Sequence, residues 1–227
     1  MKLINDLIWA FFLKHDYTIQ WKLPDELKTI KVLDLLIEKH FPEGTSPFLL
    51  QIGANDGITL DPIHHLVTSA WQGVLVEPNP AARLKLTENY RHCPRLRFAP
   101  EAIGEKNGRS RFYGGARDIH YSLNRTEVNR EEGSFEVDVL DLSSFLRKYD
   151  VKHIDILIVD VEGGDYAIMK QLCNLNSLKP KIIQFEHAHM TKEKWTELCL
   201  ELNGMGYSIH YFSRGIMRDT IACLADK

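Results

Sequence analysis

Four apolar runs in this sequence each end on residues that can bind or react. Phe48-Leu-Leu-Gln-Ile52 breaks into Gly53-Ala-Asn-Asp-Gly57, and Val74-Leu-Val76 stops on Glu77. Ile154-Asp-Ile-Leu-Ile-Val159 stops on Asp160, and Ile182-Ile-Gln-Phe185 runs into Glu186-His187. A strand that breaks into glycines exposes its backbone to a ligand, and a following helix aims its first amides at the same place. Gly53 and Gly57 therefore read as a cradle, with Asn55 or Asp56 accepting from an ammonium group. Glu77 falls where open α/β sheets place the acid that holds ribose hydroxyls. Together these residues describe a nucleoside pocket. A dinucleotide fits poorly, because the third glycine of G-x-G-x-x-G is missing and Asp56 would face a pyrophosphate. A sulfonium cation joined to adenosine, S-adenosylmethionine, suits an acidic loop better.

The other two runs carry the candidate reactive groups. An acid that ends a strand buried on both faces is costly unless it is paired or used, which singles out Asp160. Glu186 and His187 fall beside Asp160 if the two strands are neighbours. The trio then offers a general base for a hydroxyl acceptor, with His187 titrating near neutral pH, or a divalent-metal site. Metal-dependent hydrolysis through Asp160, Glu162, Glu186, His187 and His189 is the competing enzymatic reading, and a non-catalytic binding module is a third. Asp165 reads as a helix cap. Glu101 and Ala102 follow the third strand, where the adenine edge is expected, although a solvated loop carboxylate explains Glu101 equally well. His64-His65 reads as surface chemistry on an early helix. The arginines at 109, 111, 117, 125 and 130 read as a solvated arm that can also help an anionic acceptor.

The elements that must position these groups alternate. Residues 1–46 form a helical extension, in which Leu27, Ile30, Leu33, Leu36 and Ile37 keep helical spacing, and 47–227 form the main domain. Strands are expected at 48–53, 73–77, 96–99, 134–139, 154–159 and 181–185. Helices are expected at about 58–70, 80–91, 141–149, 165–173 and 191–203. Gly104–Gly133 reads as an inserted or irregular arm with a short β signal at Arg111-Phe-Tyr113. Two last strands, 207–212 and 219–224, have no helix between them and should close the sheet as an antiparallel hairpin. The fold class is α/β: a mostly parallel, Rossmann-like sheet covered on both faces, with an N-terminal helical extension.

Composition narrows the partners. Over 227 residues, 44% hydrophobic and 26% charged content is that of a globular chain with a real core, and a net charge of -3 gives no footprint for nucleic acid. The apolar run Leu7–Leu13 is too short to span a bilayer and reads as a face that docks on the core or on a partner, peripheral membrane contact being the weaker option. Cys93, Cys173, Cys199 and Cys223 form no close pair, so reduced thiols and a cytoplasmic location are expected.

Taken together, Ile52–Gly57, Glu77–Pro80 and Asp160–Gly163 resemble the motifs of the FkbM family of S-adenosylmethionine-dependent methyltransferases, with Ala102-Ile103, Ser122-Leu123 and Glu186-His187 similar to its weaker elements. The resemblance spans roughly Leu49 to His187. It implies a class I methyltransferase fold and methylation of a hydroxyl on a sugar, glycan or natural product. On that fold the expected cofactor contacts are Gly53, Asn55, Asp56, Gly57, Glu77, Pro78, Glu101, Ala102 and Asp160, and the candidates for the base or metal that an unactivated hydroxyl needs are Asp160, Glu186 and His187. One departure stands out: Ile158 occupies the position, two residues before Asp160, where the family often has lysine.

Overall fold

The structure is a computed structural model that describes residues 32–113, 134–175, 177–214 and 217–226. The apolar run at Leu7–Leu13, most of the helical extension, Ser122-Leu123 and the arginines at 117, 125 and 130 lie outside the described residues. The part of the extension that is described is helix α1 (Val32–His40), which buries Leu33 and Ile37.

The apolar runs become strands as their composition dictates. β1 (Phe48–Ile52), β2 (Gln72–Val76), β3 (Leu96–Ala99), β7 (Ile156–Val159) and β8 (Ile182–Glu186) pair in parallel, and β9 (Tyr207–Arg214) and β10 (Met217–Leu224) form the closing hairpin. The order across the sheet is β3-β2-β1-β7-β8-β10-β9, and β10 runs antiparallel to both neighbours. All five residues of β1 and all four of β7 are buried, as central strands require. Side chains alternate between two cores. Leu50, Ile52, Val74 and Val159 pack with α3 (Leu142–Lys148), α4 (Asp165–Asn174) and α5 (Lys192–Gly204) on one face. Leu49, Leu75 and Ile156 pack with α1, α2 (Pro80–Asn89) and Ile63, Val67 and Trp71 on the other. Each aliphatic side chain fully buried this way contributes about 1.5–3 kcal/mol.

Three expectations change. Residues 58–70 form turns, not a helix. Asp56 Oδ1 accepts from the amides of Ile58 and Thr59, and Asp61 Oδ1 accepts from those of Ile63 and His64, so aspartate side chains capture amides that a helix would use. Leu60 adopts a left-handed φ of 60° between them. The histidine pair accordingly sits on turns: His65 Nε2 lies 2.9 Å from Asp34 Oδ2 of α1, while His64 packs edge-on against Tyr90. Second, the strand expected at 134–139 leaves the main sheet. β6 (Ser134–Leu140) pairs with β4 (Ala102–Ile103) and β5 (Gly108–Tyr113) in a separate three-stranded sheet, with its own core of Ala102, Phe112, Val137 and Val139. The start of the supposed irregular arm is thus half of an antiparallel pair, in which Arg109 Nε bonds Asp138 Oδ1 at 2.9 Å. Third, Asp165 is not the cap of α4. Gly164 is, and Asp165 turns back to accept from the amides of Val161 and Gly163. Among the described residues no helix is long and apolar enough to cross a membrane.

The ends of β1 and β7 meet very closely. Asp160 N donates to Ile52 O at 2.9 Å, and a Cβ on Gly53 would lie 1.7 Å from the Asp160 carbonyl oxygen. Gly53 also has φ of 87°, where a side chain is strained. Gly53→Ala should therefore destabilise the fold by on the order of 3 kcal/mol or more. Thermal unfolding should show a Tm fall of roughly 6 °C or more. An unchanged Tm would mean that β1 and β7 can separate without cost.

Candidate functional site

A cavity open to solvent lies over the carboxyl ends of β1, β2 and β7. This is where the chain order of the sheet reverses, between β1 and β7, and where open α/β sheets bind ligands. Its floor is Gly53, Ala54 and Asn55, and one wall is the turn segment Thr59–Pro62. The opposite wall comes from the second sheet, through Ala102, Ile103 and Phe112.

Glu77 stands at the centre. It is 7% exposed, and its two carboxylate oxygens accept from the amides of Asn55 (2.8 Å) and Asn79 (2.7 Å). Arg83 Nη1 donates to the carbonyls of Glu77 and Pro78. Asn79 caps α2 through Oδ1, and Pro80 follows at the first helical position. The strand-ending acid is thus locked between two loops with an unused lone pair on each oxygen. Burial raises its pKa to about 7 even though both amides favour the ionised form.

Across the sheet order the polar lining changes: Ala102, Ile103 and Phe112 come from the second sheet, Glu77 and Pro78 end β2, and Gln51, Asn55, Asp160 and Glu162 belong to β1 and β7 or to the loops that follow them. Gln51 is 2% exposed and Nε2 donates to Asp61 Oδ2 at 2.7 Å, while its buried Oε1 has no partner among the described residues. A buried amide oxygen without a donor costs about 1–3 kcal/mol, which makes it a receptor for a ligand N–H. Sequence reasoning missed Gln51, Asp61 and Phe112. For Gln51 the signal was present: it is the one polar residue in an otherwise apolar strand, and a buried polar group must be used.

Of the residues expected to hold the cofactor, Gly53, Asn55, Glu77, Pro78, Ala102 and Asp160 line the cavity, and Asp56, Gly57 and Glu101 do not. The Asp56 carboxylate is taken by Ile58 and Thr59. Gly57 serves packing, since a Cβ there would lie 2.4 Å from Tyr90 Cε2. Glu101 is 4% exposed and turned away, bound by Lys148 Nζ and by Tyr149 Oη at 2.7 Å. Burial pushes its carboxyl upward, and these two bonds outweigh that and hold it below the usual range.

Around Asp160, carboxylates crowd together. Oxygens of Asp160, Asp165 and Glu186 lie within 4.8 Å of one another, as the pairing of Val159 with Phe185 dictates. A second group, Glu162, Glu186 and His189, meets the same limit, with His189 Nε2 3.1 Å from Glu162 Oε2. His187 belongs to neither group. The expected trio of Asp160, Glu186 and His187 is therefore not assembled as one ligand set: the imidazole instead has Nδ1 2.9 Å from Thr220 Oγ1 and its ring 5.3 Å from that of Trp195. Asp160 opens to solvent at the cavity, yet desolvation by the surrounding protein, then repulsion from Asp165 and Glu162, raises its pKa to about 8. Glu186 rises to about 9, by burial first and then by Asp160. The buried Glu186 Oε2 accepts no hydrogen bond among the described residues and lies 3.7 Å from His189 Nε2. Such a site favours a cation.

The family profile described as the methyltransferase FkbM domain matches residues 51–209. A 2-O-methyltransferase, NoeI, of Sinorhizobium fredii (strain NBRC 101917 / NGR234) is 27% identical over 162 residues, which cover 65% of this chain and 64% of that protein. The crystal structure of methyltransferase FkbM from Methylobacillus flagellatus KT aligns with a TM-score of 0.55 at 14% identity, over 78% of this chain and 43% of that one. A METTL16 methyltransferase domain aligns with a TM-score of 0.50 at 13% identity, over 99% and 80%. The chain thus spans just under two thirds of its curated relative. The two solved structures share its Rossmann-like fold.

The carboxylate crowding has a measurable cost. Asp160 keeps its proton to a higher pH folded than unfolded, so the folded state binds more protons between about pH 4 and 8 and stability falls as pH rises through that window. Asp160→Asn removes this penalty. Its Tm should exceed that of the parent protein at pH 8 and approach it at pH 5. Equal Tm differences at both values would show that Asp160 is not under repulsion.

Proposed function

The chain belongs to the FkbM methyltransferase domain family, and from that premise we propose that it moves a methyl group from S-adenosylmethionine to a hydroxyl oxygen of a sugar, glycan or other small molecule. The observation that carries the proposal is the buried Glu77 carboxylate at the end of β2, held by two loop amides and lining the cavity at the strand ends. Glu77 would accept from the ribose hydroxyls, Ala102, Ile103 and Phe112 would hold the adenine ring, Gln51 Oε1 would accept from the ammonium, and Asp160 and Glu162 would balance the sulfonium charge. The choice of oxygen as acceptor is supported by the name of the NoeI relative, a 2-O-methyltransferase.

When bound, the cofactor supplies an electrophilic methyl on a positive sulfur. The work left to the protein is alignment and exclusion of water. Holding two reactants in line is worth on the order of 7–11 kcal/mol of a barrier. The acceptor hydroxyl must also lose its proton as the oxygen–carbon bond forms and the sulfur–carbon bond breaks. Asp160 and Glu186 are proposed to receive that proton, and a well-placed base of this kind adds about 10²–10⁴-fold. With pKa values raised to about 8 and about 9, both carboxyls are largely protonated at neutral pH, and they can take a proton only as pH rises or as a cation beside them lowers those values. His187 follows the end of β8 and is not among the residues that line the cavity. Ile158 at the lysine position leaves the carboxylates without a neighbouring ammonium from that residue. A divalent cation is a second reading, favoured by the ligand atoms of Glu162, Glu186 and His189 lying within 4.8 Å of one another.

Calorimetric titration with S-adenosylhomocysteine tests this, run on the EDTA-dialysed protein with and without magnesium. Saturable binding that weakens roughly 10- to 100-fold in Glu77→Ala is expected, from the loss of charge-assisted hydrogen bonds. Identical isotherms with and without magnesium favour the cation-free reading, and binding that needs magnesium favours the second. Absence of binding in the parent protein under both conditions contradicts the proposal.

A further inference from the structure

We propose that Asp61 orients the side-chain amide of Gln51, so that the cavity presents a hydrogen-bond acceptor over the end of β1 and selects ligands that place an N–H donor there. The inference deepens the cofactor reading given above and rests on it for the identity of that donor, an ammonium. The orientation itself depends on no ligand. Gln51 meets the ligand in this scheme, and Asp61 is a positioning residue.

The two residues come from a rigid strand and a strained turn. Gln51 lies in β1 opposite Leu75 of β2 and Ile158 of β7, and it is buried. Asp61 reaches it from the turn segment that follows β1. There Asp56 Oδ1 accepts from the amides of Ile58 and Thr59, and Asp61 N donates to Ile58 O at 3.3 Å. Leu60, just before Asp61, takes the left-handed φ of 60° and is 67% exposed, so its own burial does not offset the strain. A strained residue of this kind persists where its surroundings impose it. The result of the turn is a carboxylate set against β1: Asp61 Oδ2 is 2.7 Å from Gln51 Nε2, and both residues line the cavity.

The partners of Asp61 decide which way the amide points. Oδ1 accepts from the amides of Ile63 at 2.9 Å and His64 at 2.6 Å, and an ionised carboxylate can only accept. The end of the Gln51 amide that faces Oδ2 is therefore its NH2. Turned over, the amide would set oxygen against oxygen in a buried place. In the observed orientation Oε1 is the buried atom with no partner among the described residues, an acceptor that a ligand N–H satisfies. An asparagine at position 61 reverses this logic. Its carbonyl keeps the two backbone amides, and its NH2 then faces Gln51. The Gln51 amide turns over and offers its own NH2 to the cavity, so that the site changes from an acceptor to a donor.

Two measurements test this. Neutron diffraction from crystals of the ligand-free, perdeuterated full chain at pH 8 locates the two deuterons of the Gln51 amide. They are expected on the end that faces Asp61, and deuterons on the end that faces the cavity overturn the proposal. This result needs no variant, so it decides the orientation whether or not Asp61→Asn folds. Calorimetry then compares S-adenosylhomocysteine with its 2-oxo analogue, in which a carbonyl oxygen replaces the ammonium. The parent protein should prefer the ammonium ligand by roughly 10- to 150-fold, and Asp61→Asn should remove roughly tenfold or more of that preference. In a Gln51→Leu background the same Asp61→Asn change should alter the preference by no more than about twofold, because Asp61 acts through the amide. An equal loss in that background overturns the proposal, since Asp61 then acts on the ligand by its charge alone. Equal affinity of the parent protein for the two ligands overturns it as well. If neither ligand binds while the deuterons face Asp61, the methyltransferase reading falls and the orientation stands, so the two are told apart.

Discussion

The backbone contact between the end of β1 and the end of β7 sets the geometry of the whole carboxyl edge. Gly53 passes so close to the Asp160 carbonyl that no side chain fits between them. That approach sends the chain after β1 back toward β2, where Gly53 N and Ala54 N both donate to Val76 O at 3.0 Å. It brings Asn55 N onto the Glu77 carboxylate, and it leaves Asp160 projecting over the same opening. Floor, central acid and cation-facing acid are consequences of one close packing of two strand ends. The apolar strands behind it supply the rigidity, since β1 and β7 are buried along their length.

The chemistry placed on that edge works against stability. Glu77, Asp160, Asp165 and Glu186 all have raised pKa values, each first because protein displaces water around it. Removing the charges would make a quieter fold, and their retention fits a ligand that brings positive charge. Glu162 adds to the tension with a left-handed φ of 54° beside Asp160, a conformation that costs a side-chain-bearing residue on the order of 1–2 kcal/mol. Strain and like-charge crowding in one place mark a site shaped for binding. The second sheet plays the complementary part, closing the cavity with Phe112 from its own small core.

Much of this was legible in the sequence where a single local force decides the outcome. Long apolar runs made β1, β7 and β8 readable, and strands without an intervening helix announced the β9–β10 hairpin. Glu77 and Asp160 were readable because an acid at the end of a buried run needs a purpose. The reading failed where side chains compete with the backbone or where partners are distant in the chain. Asp56 and Asp61 capture amides that periodicity assigned to a helix, and no spacing rule weighs that competition. Glu101 resembled an adenine-edge group until Lys148 and Tyr149, more than forty residues away, claimed it. The contact of His187 Nδ1 with Thr220 Oγ1 at 2.9 Å was likewise beyond the sequence, since Thr220 comes from another strand.

The central claim is that an acidic cavity recognises a cationic cofactor by charge. It is tested most directly by the dissociation constants of S-adenosylmethionine and S-adenosylhomocysteine measured side by side from pH 6 to 9. The two ligands differ by the methyl group and the positive charge on sulfur. As Glu77, Asp160 and Glu186 ionise through that range, affinity for the sulfonium should rise relative to the thioether, and the ratio should flatten in Asp160→Asn. A ratio that stays constant with pH, or that moves toward the neutral ligand, would contradict the account.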